Sequence, residues 1–160
     1  MKTKYTEDAA KNQLIAERSF NAPKSKVWKY YTTAELLDKW WGPLPYKAIT
    51  HSFDFQPGGQ WRYVMSGPEE VAHYCVNEFH TIDPQDSFTC SDSFADEYWN
   101  IKSDMPSTEW EVLFTQDGDV TNLKVVLTLK SAADLETLVK MGMKEGFDTG
   151  LTQLEELLKL

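Results

Sequence analysis

From about residue 47 to 130, apolar side chains recur at every second position, and turn signals interrupt the run at regular intervals. That period belongs to strands, whose side chains alternate between two faces, so the segment predicts a meander of six antiparallel strands. Registers follow from the turns. Asp117-Gly118 reads as a two-residue hairpin turn. It sets Glu111 opposite Lys124 and gathers Trp110, Val112, Phe114, Leu123, Val125, Leu127 and Leu129 on the other face. At Pro57-Gly58-Gly59 a three-residue loop sets Phe55 against Trp61 and Phe53 against Tyr63, with Asp54 beside Arg62 and His51 facing Met65 among rings. A turn centred on Pro84-Gln85 places Cys75 opposite Phe94 and Cys90 opposite Phe79. The cysteines then lie about four residues out of register, roughly 13 Å at ~3.3 Å per residue. A disulfide spans no more than ~7 Å between Cα atoms, so two free thiols are expected.

Helical periods flank this sheet. Residues 1–12 are polar and mixed in charge, which predicts a flexible tail before one domain over 13–160. Leu14 to Phe20 reads as a strand, and Pro23 opens a short helix with Val27, Trp28 and Tyr31 on its apolar side. Thr32 to Glu35 fits a capping box for a second short helix carrying Leu37, Trp40 and Trp41, which Gly42-Pro43 ends. After the sheet, Ser131 caps a single long helix to about Lys159, roughly 42 Å at ~1.5 Å per residue. Its stripe is Leu135, Val139, Met143, Phe147, Leu151, Leu154 and Leu158. Gly142, Gly146 and Gly150 run beside that stripe and cost the helix about 3 kcal/mol by propensity. Either backbone approaches backbone there, or space is left for something else.

Composition narrows the function. The formal net charge is −9, which argues against a nucleic-acid partner and against an anionic membrane surface. No stretch approaches the ~18–20 apolar residues of a membrane span, and Met1 to Asp8 has no apolar core of a signal peptide, so a cytoplasmic, reduced protein is expected. CxxC, HExxH, GxSxG, Walker A and GxGxxG motifs do not occur. His73 and His80 fall on opposite faces of one strand and make a poor metal pair, so neither a metal nor a cofactor is expected. The anomaly is aromatic: six Trp, seven Tyr and eight Phe need a large core, a cavity, or both.

The order of elements and four motifs carry a resemblance. The motifs are Phe20-Asn21-Ala22-Pro23 with Val27-Trp28; Leu37-Asp38-Lys39-Trp40-Trp41-Gly42-Pro43; Phe53-Asp54-Phe55-Gln56-Pro57-Gly58-Gly59-Gln60-Trp61-Arg62; and Glu145-Gly146-Phe147 leading to Leu151, Leu154 and Leu157. Over residues 12–160 the chain resembles the helix-grip, START-like superfamily called SRPBCC. Within it, the similarity is to the branch named for the activator of the heat-shock protein 90 ATPase homologue. The resemblance implies an α+β fold in which a curved antiparallel sheet wraps a long C-terminal helix, with two short helices after the first strand. It also implies a cavity that superfamily members use for lipids, sterols, hormones and polyketides, in some cases with catalysis. The eukaryotic namesake carries an additional N-terminal domain for which this chain lacks the residues.

Binding of a small apolar molecule, lipid-like or aromatic, is therefore the leading expectation. Phe53, Trp61, Tyr63 and Met65 from one hairpin would line the site, with Trp110, Phe114, Met143 and Phe147 opposite. His51, His73, Asn77 and Asp92 would supply polar anchors. The same rings also suit a filled core. Two other readings stay open: a cyclase or dehydratase using His51 or His73 as base with Asp92 orienting it, and an interaction module for a chaperone or another protein. Tyr98 and Trp99 would either cover the cavity mouth or anchor their loop.

Overall fold

The computed structural model describes residues 2–160. Eight antiparallel strands form one sheet in the order β1-β2-β8-β7-β6-β5-β4-β3. The strands are β1 Lys4–Asp8, β2 Gln13–Phe20, β3 Lys47–Phe53, β4 Gln60–Ser66, β5 Ala72–Asp83, β6 Ser87–Ala95, β7 Thr108–Asp117 and β8 Val120–Thr128. Helices α1 Lys24–Tyr31 and α2 Ala34–Trp40 follow β2, and α3 Ala132–Lys140 and α4 Met143–Leu158 end the chain. The α+β helix-grip expectation thus holds.

The inner face of the sheet is the one that alternation marked. Trp110, Val112, Phe114, Leu123, Val125, Leu127 and Leu129 are all buried, and Cys75 faces Phe94 while Cys90 faces Phe79. Both cysteines are free and buried. Burial pushes the Cys75 thiol up to about 12, with the Asp92 charge adding to the rise, and acts in the same direction on Cys90. A thiolate-selective reagent such as Ellman's should therefore leave the native protein unlabelled and release two equivalents after denaturation. Rapid labelling at pH 8 without denaturant would contradict the packing.

Several local expectations are corrected. Lys4–Asp8, in the segment expected to be a loose tail, pairs with Gln13–Glu17 as an edge strand, and the Tyr5 hydroxyl donates to Lys144 O at 2.9 Å. Thr32 does not cap α2. It ends α1, donating its hydroxyl to Trp28 O at 2.7 Å, and Thr33 takes the N-cap position with no side-chain hydrogen bond. The β7–β8 turn moves one residue on: Asp117 pairs with Val120, so Gly118-Asp119 make the turn with Gly118 at φ +62°. Glu111 then faces Val126, and Lys124 faces Leu113, while the core face is unchanged.

The β3–β4 hairpin departs further. Gly59 N donates to Gln56 O, closing a tight turn with Gly58 at φ +84°, and the glycine pair also extends the ladder to β5, where Gly58 N donates to Phe79 O and Phe79 N to Gly59 O. Phe53 pairs with Trp61, Ser52 with Arg62 and Thr50 with Tyr63, with a bulge at His51 between them. The bulge keeps Thr50 available to the interior and puts His51 in solvent, an effect bulges have on the side chains around them.

The long terminal helix is two helices. Ser131 Oγ does accept from Asp134 N at the start of α3, but Gly142 sits at φ +88° and breaks the rod before α4. That conformation is cheap only for glycine. The remaining glycines play different parts. A Cβ on Gly150 would lie 3.3 Å from Trp40 O, so here backbone meets backbone, whereas on Gly146 it would meet only Pro43 Cγ at 3.6 Å. Gln153 completes the seam: its Nε2 donates to Trp40 O and Gly42 O, satisfying carbonyls at the end of α2.

Candidate functional site

Two voids lie between the inner face and the helices, and Trp41 and Trp110 border both. The larger is a cavity of about 240 Å³ walled by the sheet, by Trp41 and Pro43 after α2, and by Leu138, Met143, Gly146 and Phe147 of the terminal helices. Rings hold its wall in place. Trp41 lies 5.8 Å from Trp110 and 6.1 Å from Phe147, and Trp110 lies 5.6 Å from Phe147, all tilted or edge-on. Trp41 Nε1 donates to the Tyr63 hydroxyl at 2.9 Å. Exposed His73 and Met141 mark the rim.

The smaller void, about 10 Å³, is bordered by Tyr31, Phe53, Trp61, Asn77 and Cys90 among others. Tyr31 OH, Asn77 Oδ1 and Trp110 Nε1 are buried there without a hydrogen-bond partner among the described residues. The void has room for about one water, the group that would satisfy them.

Seven of the twelve sequence-derived candidates therefore share the larger cavity: Tyr63, Met65, His73, Asp92, Trp110, Met143 and Phe147. Phe53, Trp61 and Asn77 border the smaller void. Phe114 is core, packed against Trp28 at 5.1 Å and Tyr31 at 5.6 Å, and borders neither. His51 is outside altogether, stacked on Trp99 at 5.1 Å. Trp99 also meets Tyr74 edge-on and lies under Arg62, so it anchors its loop on the outer face, while Tyr98 is exposed.

Sequence reasoning missed Trp41, Pro43 and Leu138 as wall residues. It also missed Asp38, whose Oδ1 accepts from both the backbone N–H and the hydroxyl of Thr50, tying α2 to β3. Thr50 Oγ1 in turn accepts from Trp61 Nε1. A polar residue on a short apolar helix was the available signal for Asp38; the wall residues had none beyond their apolarity.

Asp92 is the chemically distinctive group. It pairs with Asn77 and Thr108 along the ladders, and its side chain turns to the cavity. No hydrogen bond or ion pair reaches its carboxyl among the described residues, and burial alone raises its pKa to about 7. The cavity wall contains no lysine or arginine. Among the described residues no group of three or more His, Cys, Asp or Glu is placed to hold a metal ion, and no helix is long and apolar enough to cross a membrane.

Comparison with known proteins agrees with this geometry. Residues 21–159 match the model of the family described as Activator of Hsp90 ATPase homolog 1-like protein. Protein Ms6760 from Mycobacterium smegmatis is 31% identical, with a TM-score of 0.91 over 99% of this chain and 97% of that one. A protein from Arthrobacter aurescens solved by NMR is 25% identical, with a TM-score of 0.92 over 98% and 91% of the two chains. CalU16 from Micromonospora echinospora shares the fold at 18% identity and a TM-score of 0.65, covering 98% and 84%. Among curated proteins none matches the sequence.

Proposed function

Because the chain belongs to the family of Activator of Hsp90 ATPase homolog 1-like proteins and keeps an apolar cavity beneath its terminal helices, we propose that it binds a small, largely apolar molecule there. The observation that carries the reading is the cavity wall: mostly rings and aliphatic side chains from β4 to β7, the α2 terminus and the terminal helices, with Asp92, Ser93, Thr108 and His73 as its few polar groups. Ligand sites of this kind are mostly apolar with few polar groups. The volume supports a ligand class. At about 240 Å³ the cavity falls just below the ~300–1,000 Å³ usual for drug-sized ligands, which favours a one- or two-ring molecule over a sterol. The catalytic alternative loses His51, which the bulge turns outward; His73 stays at the rim.

Gly146 offers the test. Its missing side chain is part of the wall, and a Cβ there meets only Pro43 Cγ at ordinary contact distance. Replacing an interior helical glycine also gains about 1 kcal/mol of propensity. Gly146→Leu should thus fold and fill the cavity. Titration with propylbenzene, read by the fluorescence of wall residues Trp41 and Trp110, should show saturable binding to the parent. In the variant the affinity should fall at least about tenfold, as a ligand excluded from its pocket requires. An unchanged affinity in Gly146→Leu would defeat the reading, as would the absence of saturable binding by propylbenzene and by its polar analogues alike.

A further inference from the structure

We propose that the cavity selects a small organic cation, a protonated amine on a compact apolar body, with Asp92 as its counter-charge and the wall rings around it. This rests on the binding function proposed above and names the chemistry of its ligand. Three observations carry it. Asp92 is the one carboxyl on a mostly apolar wall, whose other polar side chains are Tyr63, His73, Ser93 and Thr108, and no hydrogen bond or ion pair reaches it among the described residues. Lysine and arginine are missing from the lining, and His73 stands at its exposed rim. Trp41, Trp110 and Phe147 form a mutually touching set of rings on the same wall.

The physics of each points the same way. A half-buried carboxylate without a partner loses part of its hydration, and a neutral hydrocarbon would leave that loss in place. An ammonium group would recover it. Ring faces are negative and attract cations, more strongly when both are desolvated. A ligand cation therefore meets favourable partners on two sides of one cavity.

The groups facing Asp92 leave it as the controlling charge. Tyr63 comes from β4, His73 and Cys75 from β5, Cys90 from its own strand and Tyr31 from α1; the terminal helices present Leu138, Met141, Met143 and Phe147. Burial raises both thiols and both phenols well above neutral, so all four stay uncharged at neutral pH. His73, exposed at the rim, is the other charge to control for.

The probes are 2-phenylethylamine and propylbenzene, which have the same shape and differ in charge. At pH 8 the amine should bind roughly ten- to a hundredfold tighter, the worth of a hydrogen bond to a charged group. Pairing the ammonium with a carboxylate expels the Asp92 proton below neutrality. Amine affinity should therefore climb up to about tenfold per pH unit from 5.5 towards 7 and then level off, while propylbenzene shows no such rise. In Asp92→Asn the amine should lose its advantage over propylbenzene, and its pH dependence should vanish; a slope that survives in that variant would overturn Asp92 as the counter-charge.

The outcomes separate the two proposals. Propylbenzene binding with no preference for the amine at any pH would overturn the cation inference and leave the apolar-ligand function standing. So would preference for a neutral acceptor such as 4-phenyl-2-butanone that grows as pH falls, because the protonated acid would then be the recognition group. Failure of all three probes to bind would overturn both.

Discussion

Asp92→Asn is expected to make the protein more stable at pH 8 and no more stable at pH 4.5. In the folded chain the carboxyl holds its proton up to about 7, against an ordinary value of 3.8. Between those values the unfolded chain has released a proton that the folded chain keeps, so the unfolded state binds fewer protons and stability falls as pH rises. Below about pH 4 both states are protonated and nothing is lost. Above pH 7 the loss is complete, up to about 4 kcal/mol at ~1.36 kcal/mol for each unit of pKa. The amide cannot ionise. It pays only the smaller, pH-independent cost of an unpaired buried polar group, about 1–2 kcal/mol. The variant should thus melt at or slightly below the parent at pH 4.5 and on the order of 5–10 °C above it at pH 8, given ~2–4 °C per kcal/mol for a chain this size. Thermal melts at four pH values between 4.5 and 8 decide it. Parallel curves for parent and variant would mean that the carboxyl is solvated in the native protein. A stabilising substitution at a cavity residue is also what a binding site predicts, since groups kept for a ligand are held at a cost to the fold.

What could be read from the sequence depended on whether a residue's neighbours lay along its own element or across the fold. Asp92 was readable as a cavity group because it keeps strict alternation with Cys90 and Phe94, and nothing interrupts that stretch of β6. His51 was misplaced because Thr50-His51-Ser52 is uniformly polar, so a bulge that flips one residue leaves no trace in the pattern. β1 is an edge strand, and its only ring, Tyr5, is too little to mark an apolar face. The break at Gly142 was hidden for a different reason. Leu135 and Val139 continue the stripe of α4 in phase, and a left-handed glycine is spelled like the packed Gly150. The seam from Gln153 to Trp40 and Gly42 joins positions more than 100 apart in sequence, and no local rule reaches that far. Arg18 depends on distant partners too: it is buried and reaches Asp148 and Glu155 of α4, while its neighbour Glu17 is exposed.

Trp40→Ala and Trp41→Ala should divide stability from binding, although the residues are adjacent and both indole. Trp40 is 0% exposed. Its Nε1 donates to Tyr30 O at 3.0 Å, and its ring meets Tyr31 at 5.1 Å and Trp41 at 5.4 Å edge-on. Gly150 of α4 closes against its carbonyl, which also accepts from Gln153. Truncation would open a hole where α2 and α4 approach most closely and orphan the Tyr30 carbonyl. Losses of about 3–5 kcal/mol attend such changes, a large fraction of the ~5–15 kcal/mol that holds a domain folded. Trp41 is partly exposed and stands on the cavity wall, with Nε1 committed to the Tyr63 hydroxyl. Its removal should cost less stability, about 1–3 kcal/mol. It should also weaken propylbenzene binding at least about tenfold by stripping a ring from the wall. Urea melts should give Trp40→Ala much the lower midpoint with the slope of the parent retained. A larger stability loss from Trp41→Ala, with ligand binding intact, would show that the second indole is core and that the cavity ends short of it.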